Sequence, residues 1–416
     1  MTTTLSESPS GGRLFASARL PSFRLLWLGQ VLSLLGDGFS YIAFAWITLS
    51  LTQSTLALGI VLALQAIPRA LLTMVGGSLS DRFSARALMT MSSWARAAVM
   101  TAVAVAGFAG LLNIVLLCVA AALFGAVDAF FQPARMSILP TVVDKDMLVP
   151  ANALLSVGSR GAAVLGPAIG GVVVAFSDAH FAFLVDGVCF ALCGLCVSRV
   201  RTLREPAAPT AEQGPLESML TRIKAGIRFA VADPRIRSMV AADMAVTFCY
   251  AGAFTVGFAT LAKTQLDGGA TTLGILSGAL AGGAMLGGLA GGAVSIRPRV
   301  GLMVAALTSW LAIGMLVLGL LPGTVTAVAA VLAMGFGIGF EGVFTLSWVQ
   351  RNVDESMLSR VISFDMVLGY AVAPISLVLC GALADVRPDL MFIGAAVILG
   401  ATTVGVLSSR PVREMR

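Results

Sequence analysis

Residues 23–50 read FRLLWLGQVLSLLGDGFSYIAFAWITLS, and this run decides the fold class. Arg24 and Asp37 are its only charged residues, and it exceeds the roughly twenty apolar residues that cross a bilayer as a helix. The segment before it, MTTTLSESPSGGRLFASARLPS, is polar and has no apolar core closed by a cleavage site. The run is therefore expected to stay in the membrane as a first helix instead of being removed as a signal.

Working outward, runs of the same kind recur at 56–79, 87–111, 113–131, 151–176 and 181–200, then at 239–261, 272–294, 300–321, 326–349, 358–383 and 390–407. Residues 110–113 make a corner between the third and fourth spans, and 322–324 between the ninth and tenth. Composition agrees: 58% of the 416 residues are hydrophobic and 12% charged, about half the charged share of soluble domains. A soluble fold of this length could not hide so much apolar surface. The expected fold class is an all-α membrane protein of twelve transmembrane helices in two six-helix bundles, 1–203 and 238–416, joined by a cytoplasmic linker at 204–237.

Arginine and lysine set the expected orientation. One face receives Arg13, Arg19, Arg24, Arg82, Arg86, Arg135, Lys145, the basic residues of the linker, Arg297, Arg299, Arg351, Arg360, Arg410, Arg413 and Arg416; the other receives Lys263 and Arg387. This asymmetry places both termini and the linker in the cytoplasm, with the chain in a plasma membrane of the bacterial inner-membrane kind. The net charge of +6 is then a topology signal, and nucleic acid is not expected as a partner. In the linker, Leu216, Met219, Leu220, Ile223 and Ile227 share one helical face, the pattern of a helix lying on an anionic leaflet.

The halves echo each other. VDKDML at 143–148 returns as VDESML at 353–358, each time after a span with an acidic residue, and Asp37 of the first span has a counterpart in Asp243 of the seventh. Parallel repeats of six spans are the architecture of the major facilitator transporters. Residues 77–86, Gly77-Ser-Leu-Ser-Asp81-Arg82-Phe-Ser-Ala-Arg86, resemble that superfamily's Gly-x-x-x-Asp-Arg-x-x-Arg signature between spans two and three, with Ser84 in place of a glycine and Ala85 in place of a basic residue. Gly166-Pro167-Ala-Ile-Gly170-Gly171 resembles the antiporter motif of the fifth span, which Arg160 precedes, although Ala162 stands where an earlier glycine is usual. These motifs, with FFQPARMSILP and ANALLSVGSRG, resemble the twelve-span drug:proton antiporters of the macrolide-efflux and enterobactin-exporter type.

The resemblance implies a gate in which Asp81, Arg82 and Arg86 latch one face, with Asp128 as the acid that Arg82 and Arg86 would meet. The same arginines serve equally as positive-inside anchors. Gly274, Gly278 and Gly282, then Gly283, Gly287 and Gly291, give the eighth span a face for the fifth, and ordinary close packing would use the same glycines.

Charges inside the membrane cost at least about 2.5–3.5 kcal/mol, so they are paired or functional. The first half holds Arg69, Arg96 and Arg160 against Asp37, Asp128 and Asp186, three of each sign that can pair. The second holds Asp243, Glu341 and Asp365 with no intramembrane base. Glu341 is the deepest of these, among Gly337, Gly339 and Gly342, and reads either as a substrate or proton site or as a fixed gate element. Asp37 and Arg96 read as a switchable ion pair or as a permanent one; Asp243 and Asp365 lie nearer the arginine-rich face and can reach water.

The three lysines do not follow glycine, so there is no phosphate-binding loop, and the single histidine, His180, cannot build a hydrolytic triad. The six cysteines fall inside apolar runs, where they read as packing residues instead of a metal site. No enzyme activity and no cofactor is expected, the proton gradient being the energy source. The expected function is proton-coupled efflux of a lipophilic or amphipathic small molecule (a drug, antibiotic or siderophore) by alternating access, from a monomer whose partners are that substrate and the lipid bilayer. A facilitator, an importer or a lipid flippase on the same fold, or a membrane sensor, are the other readings.

Overall fold

The computed structural model describes residues 17–80, 84–203, 234–294, 299–321, 323–352 and 355–408; side chains at 74–80, 234–236, 300, 346, 348–352 and 355–365 stand outside that description. Among the described residues are twelve helices long and apolar enough to cross a membrane. In chain order they are α1 (Pro21–Thr52), α2 (Thr55–Ser80), α3 (Ala85–Phe108), α4 (Ile114–Val142), α5 (Leu148–Phe176) and α6 (Ala179–Ser198). In the second half, α7 is built of Pro234–Phe248, a π-helical stretch at Cys249–Phe254 and Thr255–Thr264; α8 (Gly269–Ala293), α9 (Val300–Leu320), α10 (Thr324–Asn352), α11 (Glu355–Val386) and α12 (Pro388–Ser408) follow. The interfacial helix expected at 216–228 lies outside the described residues, as do Val353 and Asp354 of the VDESML repeat, whose last four residues open α11.

Local chemistry sets the corners. Gly110 takes φ +70, a left-handed turn that glycine adopts without steric cost, and the Asn113 side chain accepts from Leu116 N at 2.9 Å to cap α4. At the other end of α4 the structure corrects the sequence reading. The expected span stopped at residue 131, yet the helix continues through Pro133 and Pro140 to Val142. A proline removes one backbone bond, but Ala134, Ile138, Leu139 and Val142 are buried against the bundle, and their packing carries the helix on.

The two halves repeat one packing plan. In the first, α1 packs on α5 and α6, α2 on α4, and α3 on α6; in the second, α7 packs on α11 and α12, α8 on α10, and α9 on α12. Between the halves α5 meets α8 and α2 meets α11, pairs that exchange when six is added to each number. Small residues let backbones approach where lipid supplies no hydrophobic drive. A Cβ on Gly283 or Gly287 of α8 would enter the backbone of α10 at Leu332 or Phe336, and one on Gly335 or Gly339 of α10 would enter α8 at Leu280 or Ala284.

The glycines of α8 therefore divide between two faces. Gly274 and Gly278 face α5 at Pro167 and Val164, as expected, whereas Gly283, Gly287 and Gly291 face α10. One residue turns a helix by about 100°, so the step from Gly282 to Gly283 changes the neighbour. Outward, exposed side chains such as Leu71, Val105, Met136, Val149, Val325 and Val404 are apolar, a surface suited to lipid.

Candidate functional site

The polar centre of the first half is a chain of charges across α1 to α4. Arg96 of α3 is fully buried, and its Nη1 donates to Asp128 Oδ1 of α4 at 2.9 Å. Asp37 Oδ1 of α1 lies 3.6 Å from the same nitrogen, and Arg96 Nη2 donates to Ser33 Oγ at 3.2 Å. The Arg96 guanidinium is held between the rings of Phe131 and Phe190, 4.2 and 4.3 Å from their centroids. Such a stack suits a planar, delocalised cation in a dry site and contributes about 2 kcal/mol when desolvated. Arg69 Nε of α2 stands 2.9 Å from Asp128 Oδ2, although its N–H is not aligned on that oxygen.

The members of this cluster are held unequally. Asp128 is nearly wholly buried and takes two arginines, whereas the Asp37 side chain is 32% exposed and Oδ1 has no hydrogen-bond partner. Arg69 is 34% exposed. Asp37 is thus the more exposed of the two carboxylates, with Oδ1 itself buried and in reach of the arginine.

Two sequence expectations are corrected here. Three-against-three pairing does not form: Arg69 and Arg96 share Asp128, Arg96 alone also reaches Asp37, Asp186 takes the Ser40 hydroxyl, and Arg160 has no ion pair among the described residues. Asp128 does not meet Arg86, whose Nη1 donates instead to Val200 O at 2.9 Å, tying the start of α3 to the end of α6. Because α4 runs to Val142, Asp128 sits at mid-helix and not at a helix end. Arg135, read from sequence as a loop residue, lies inside α4 for the same reason. Asp81 and Arg82 are outside the described residues, and Gly77 lies in the last turns of α2.

The antiporter-type run packs α5 on two partners. Gly166 rests against Leu35 and Gly38 of α1 and Gly170 against Phe39, while Gly171 crosses Gly274 of α8. Arg160 lies two turns before the run, exposed, with Nη1 3.3 Å from where a Cβ on Gly288 would stand. In the second half, Glu341 accepts a hydrogen bond from Thr345 one turn on, and Asp243 is within electrostatic reach of it. Gly342 borders open space, while Gly337 packs on Trp310 and Gly339 on α8. Asp243 is exposed, with Thr247 Oγ1 3.4 Å away; the Asp365 side chain is outside the described residues.

Sequence reading did not find the seam between the halves at the arginine-poor face. Asp385, in the last turn of α11, accepts from Thr55 N at 2.5 Å, Thr55 Oγ1 at 2.8 Å and Ser54 Oγ at 2.7 Å, and so caps the start of α2 from the opposite half. Thr55 Oγ1 also reaches Gly381 O at 2.8 Å, and Gly59 crosses α11 at Leu377. Nearby, Lys263 of α7 donates to Leu49 O and Tyr41 OH of α1 to Thr255 O. Deeper lies a cavity of about 230 Å³ between α1, α5, α7 and α8, walled by Tyr41, Tyr250, Phe254 and Phe258, with Ser277 at its edge. The halves are thus bonded along one face, with aromatic side chains behind the bond.

Comparison with known proteins agrees with this architecture. Residues 13–385 match the family described as transmembrane secretion effector, of the major facilitator superfamily. The chain is 28% identical over 379 residues to the multidrug efflux pump Tap of Mycobacterium tuberculosis (strain ATCC 25618 / H37Rv), covering 89% of this chain and 88% of that one. It is 26% identical over 352 residues to the enterobactin exporter EntS of Escherichia coli O6:K15:H31 (strain 536 / UPEC), covering 82% and 80%. Among solved structures, the nucleoside transporter NupG superposes with a TM-score of 0.75 at 12% identity over 94% of this chain and all of that one. Twelve spans in two equivalent halves, a charge cluster in the first and a family match over most of the sequence lead to one assignment: the chain belongs to the transmembrane secretion effector family of major facilitator transporters.

Proposed function

We propose that this transporter exports a lipophilic or amphipathic small molecule in exchange for protons, its halves rocking between this conformation and one in which the arginine-poor seam has parted. The observation that carries the reading is the contrast between Asp128 and Asp37 at Arg96. Asp128 holds Arg96 at 2.9 Å in a closed site, whereas Asp37 is a third exposed at 3.6 Å. A carboxylate so placed can take a proton from the space between the halves and release Arg96, then lose the proton and recapture it. Glu341, partly buried in α10 with Thr345 as its donor, is the corresponding acid of the second half. The relatives named as a multidrug efflux pump and an enterobactin exporter support the direction and the substrate class.

In this reading the arginine-rich face is cytoplasmic, both termini lie there, and the chain acts as a monomer in the bacterial inner membrane without a cofactor. The seam would close the opposite face in this conformation and would have to part for release there. The arginines at 82 and 86 would then gate the arginine-rich face, with Asp81 and the residues around Gly77.

Liposomes containing the purified protein, given an imposed pH gradient and ethidium as the probe, test the reading. Gradient-driven dye movement is expected, falling by about tenfold or more, equivalent to about 1.4 kcal/mol, in Asp37→Asn. Dye that merely equilibrates regardless of the gradient would make the protein a facilitator. Coupled movement surviving in both Asp37→Asn and Glu341→Gln would remove these acids from the mechanism.

A further inference from the structure

Asp186 of α6 is part of the buried centre but stands outside its ion pairs. Its side chain is fully buried. Oδ2 is hydrogen-bonded to the Ser40 hydroxyl of α1, and Oδ1 has no hydrogen-bond partner. Gly36 leaves room for that oxygen: a Cβ there would stand 2.5 Å from Oδ1. The charged and titratable groups around it are Asp37 on α1, Arg96 on α3 and Cys189 on α6 itself. Arg96 directs its nitrogens to Asp128, Asp37 and Ser33, and leaves Asp186 without a base.

An ionised carboxylate enclosed with one hydroxyl donor and one unsatisfied oxygen costs several kcal/mol, far more than the neutral acid in the same place. Ser40 is the hydrogen-bond partner that Asp186 has on α1. Ser40 lies one helical turn beyond Asp37, on the same side of α1, and the Asp37 side chain is the exposed end of that row.

We propose that Asp186 holds a proton in this conformation and is the store for the exchange, loaded through Ser40 from Asp37. A proton arriving on Asp37 passes to the Ser40 oxygen as that hydroxyl gives its own proton to an ionised Asp186. Asp37 ends anionic and returns to Arg96, Ser40 ends unchanged, and Asp186 ends neutral; unloading runs the same steps in reverse. The inference rests on the proton-coupled reading above and adds to it a site where the proton waits, out of contact with substrate.

The test is infrared difference spectroscopy on the full chain in liposomes, without substrate, recorded as the pH is stepped and again in heavy water. The wild-type protein is expected to show the carbonyl stretch of a protonated carboxyl that Asp186→Asn lacks and Glu341→Gln retains. In Ser40→Ala, which leaves the acid in place should Asp186→Asn fold poorly, the band is expected to shift because its hydrogen bond is gone. In Asp37→Asn it should remain, with hydrogen–deuterium exchange slowed by an order of magnitude. A band that persists in Asp186→Asn, that is indifferent to Ser40→Ala, or that is missing from the wild type overturns the proposal. The dye assay fails separately: gradient-driven movement without the band sinks the store alone, and the band without gradient-driven movement sinks the coupling.

Discussion

At Arg96 one side chain bonds Asp128 and Ser33, stands within ion-pair reach of Asp37 and stacks on two aromatic faces, so its removal is costly. Arg96→Ala leaves Asp128 with only Arg69, itself a third exposed, so destabilisation of about 3–5 kcal/mol is expected, seen as a lower thermal midpoint in detergent. Arg96→Lys keeps the charge but loses the fork and the planar stack, and should recover only part of that loss. Arg96 and Asp37 were legible in the sequence because a charge inside an apolar run announces itself. Ser40 and Ser33 were not. Hydroxyls in apolar helices commonly bond to their own preceding turn, as Thr52, Thr73 and Ser93 do here, and nothing in the spacing sets Ser40 apart. Asp128 was misassigned because the apolar run was read as ending at residue 131, whereas tertiary packing carries the helix through Pro133 to Val142.

At the scale of elements, the helix pairs are defined by where backbone touches backbone. Gly335→Leu would force α10 off α8, and overpacking of this kind costs about 1–3 kcal/mol or more, read as a lower melting temperature and poorer monodispersity. Gly400→Ala in α12, where nothing lies within 4 Å, is expected to be neutral or to stabilise by up to about 1 kcal/mol through helix propensity. Both glycines look alike in sequence. The spans themselves were readable from hydropathy, which reports solvent, whereas the division of the α8 glycines between α5 and α10 depends on how three helices are turned toward one another. The π-helical stretch of α7 had no signature, and it sets Phe254 beside Tyr250 in the cavity wall.

For the whole molecule, the repeat at 143–148 and 353–358 gave the two halves, but no residue pattern indicated which face holds them together. The Asp385 cap is a contact between positions 330 residues apart, beyond any local rule. Hydrogen bonds to a charged group are worth about 1.5–3 kcal/mol each. Asp385→Asn with Thr55→Val should therefore shift the balance away from this conformation by tenfold or more, each 1.4 kcal/mol being about tenfold. The measurement is the labelling rate of a cysteine placed at Tyr41 by a reagent added from the arginine-poor side, which is expected to rise; an unchanged rate would show that the cap does not hold the seam.

The crossings Gly59–Gly381 and Gly171–Gly274 act like two rivets at one end of a pair of shears. While those crossings stay closed the blades part most widely at the far end, and the covalent strap between them is fastened at that end, from Leu203 to Pro234. The strap needs slack in proportion to the swing. Its thirty residues can span about 100 Å, whereas a cut to five would limit the opening to about 18 Å. A chain so shortened should still insert and fold, yet move dye at a rate that climbs again, residue by residue, as slack is restored.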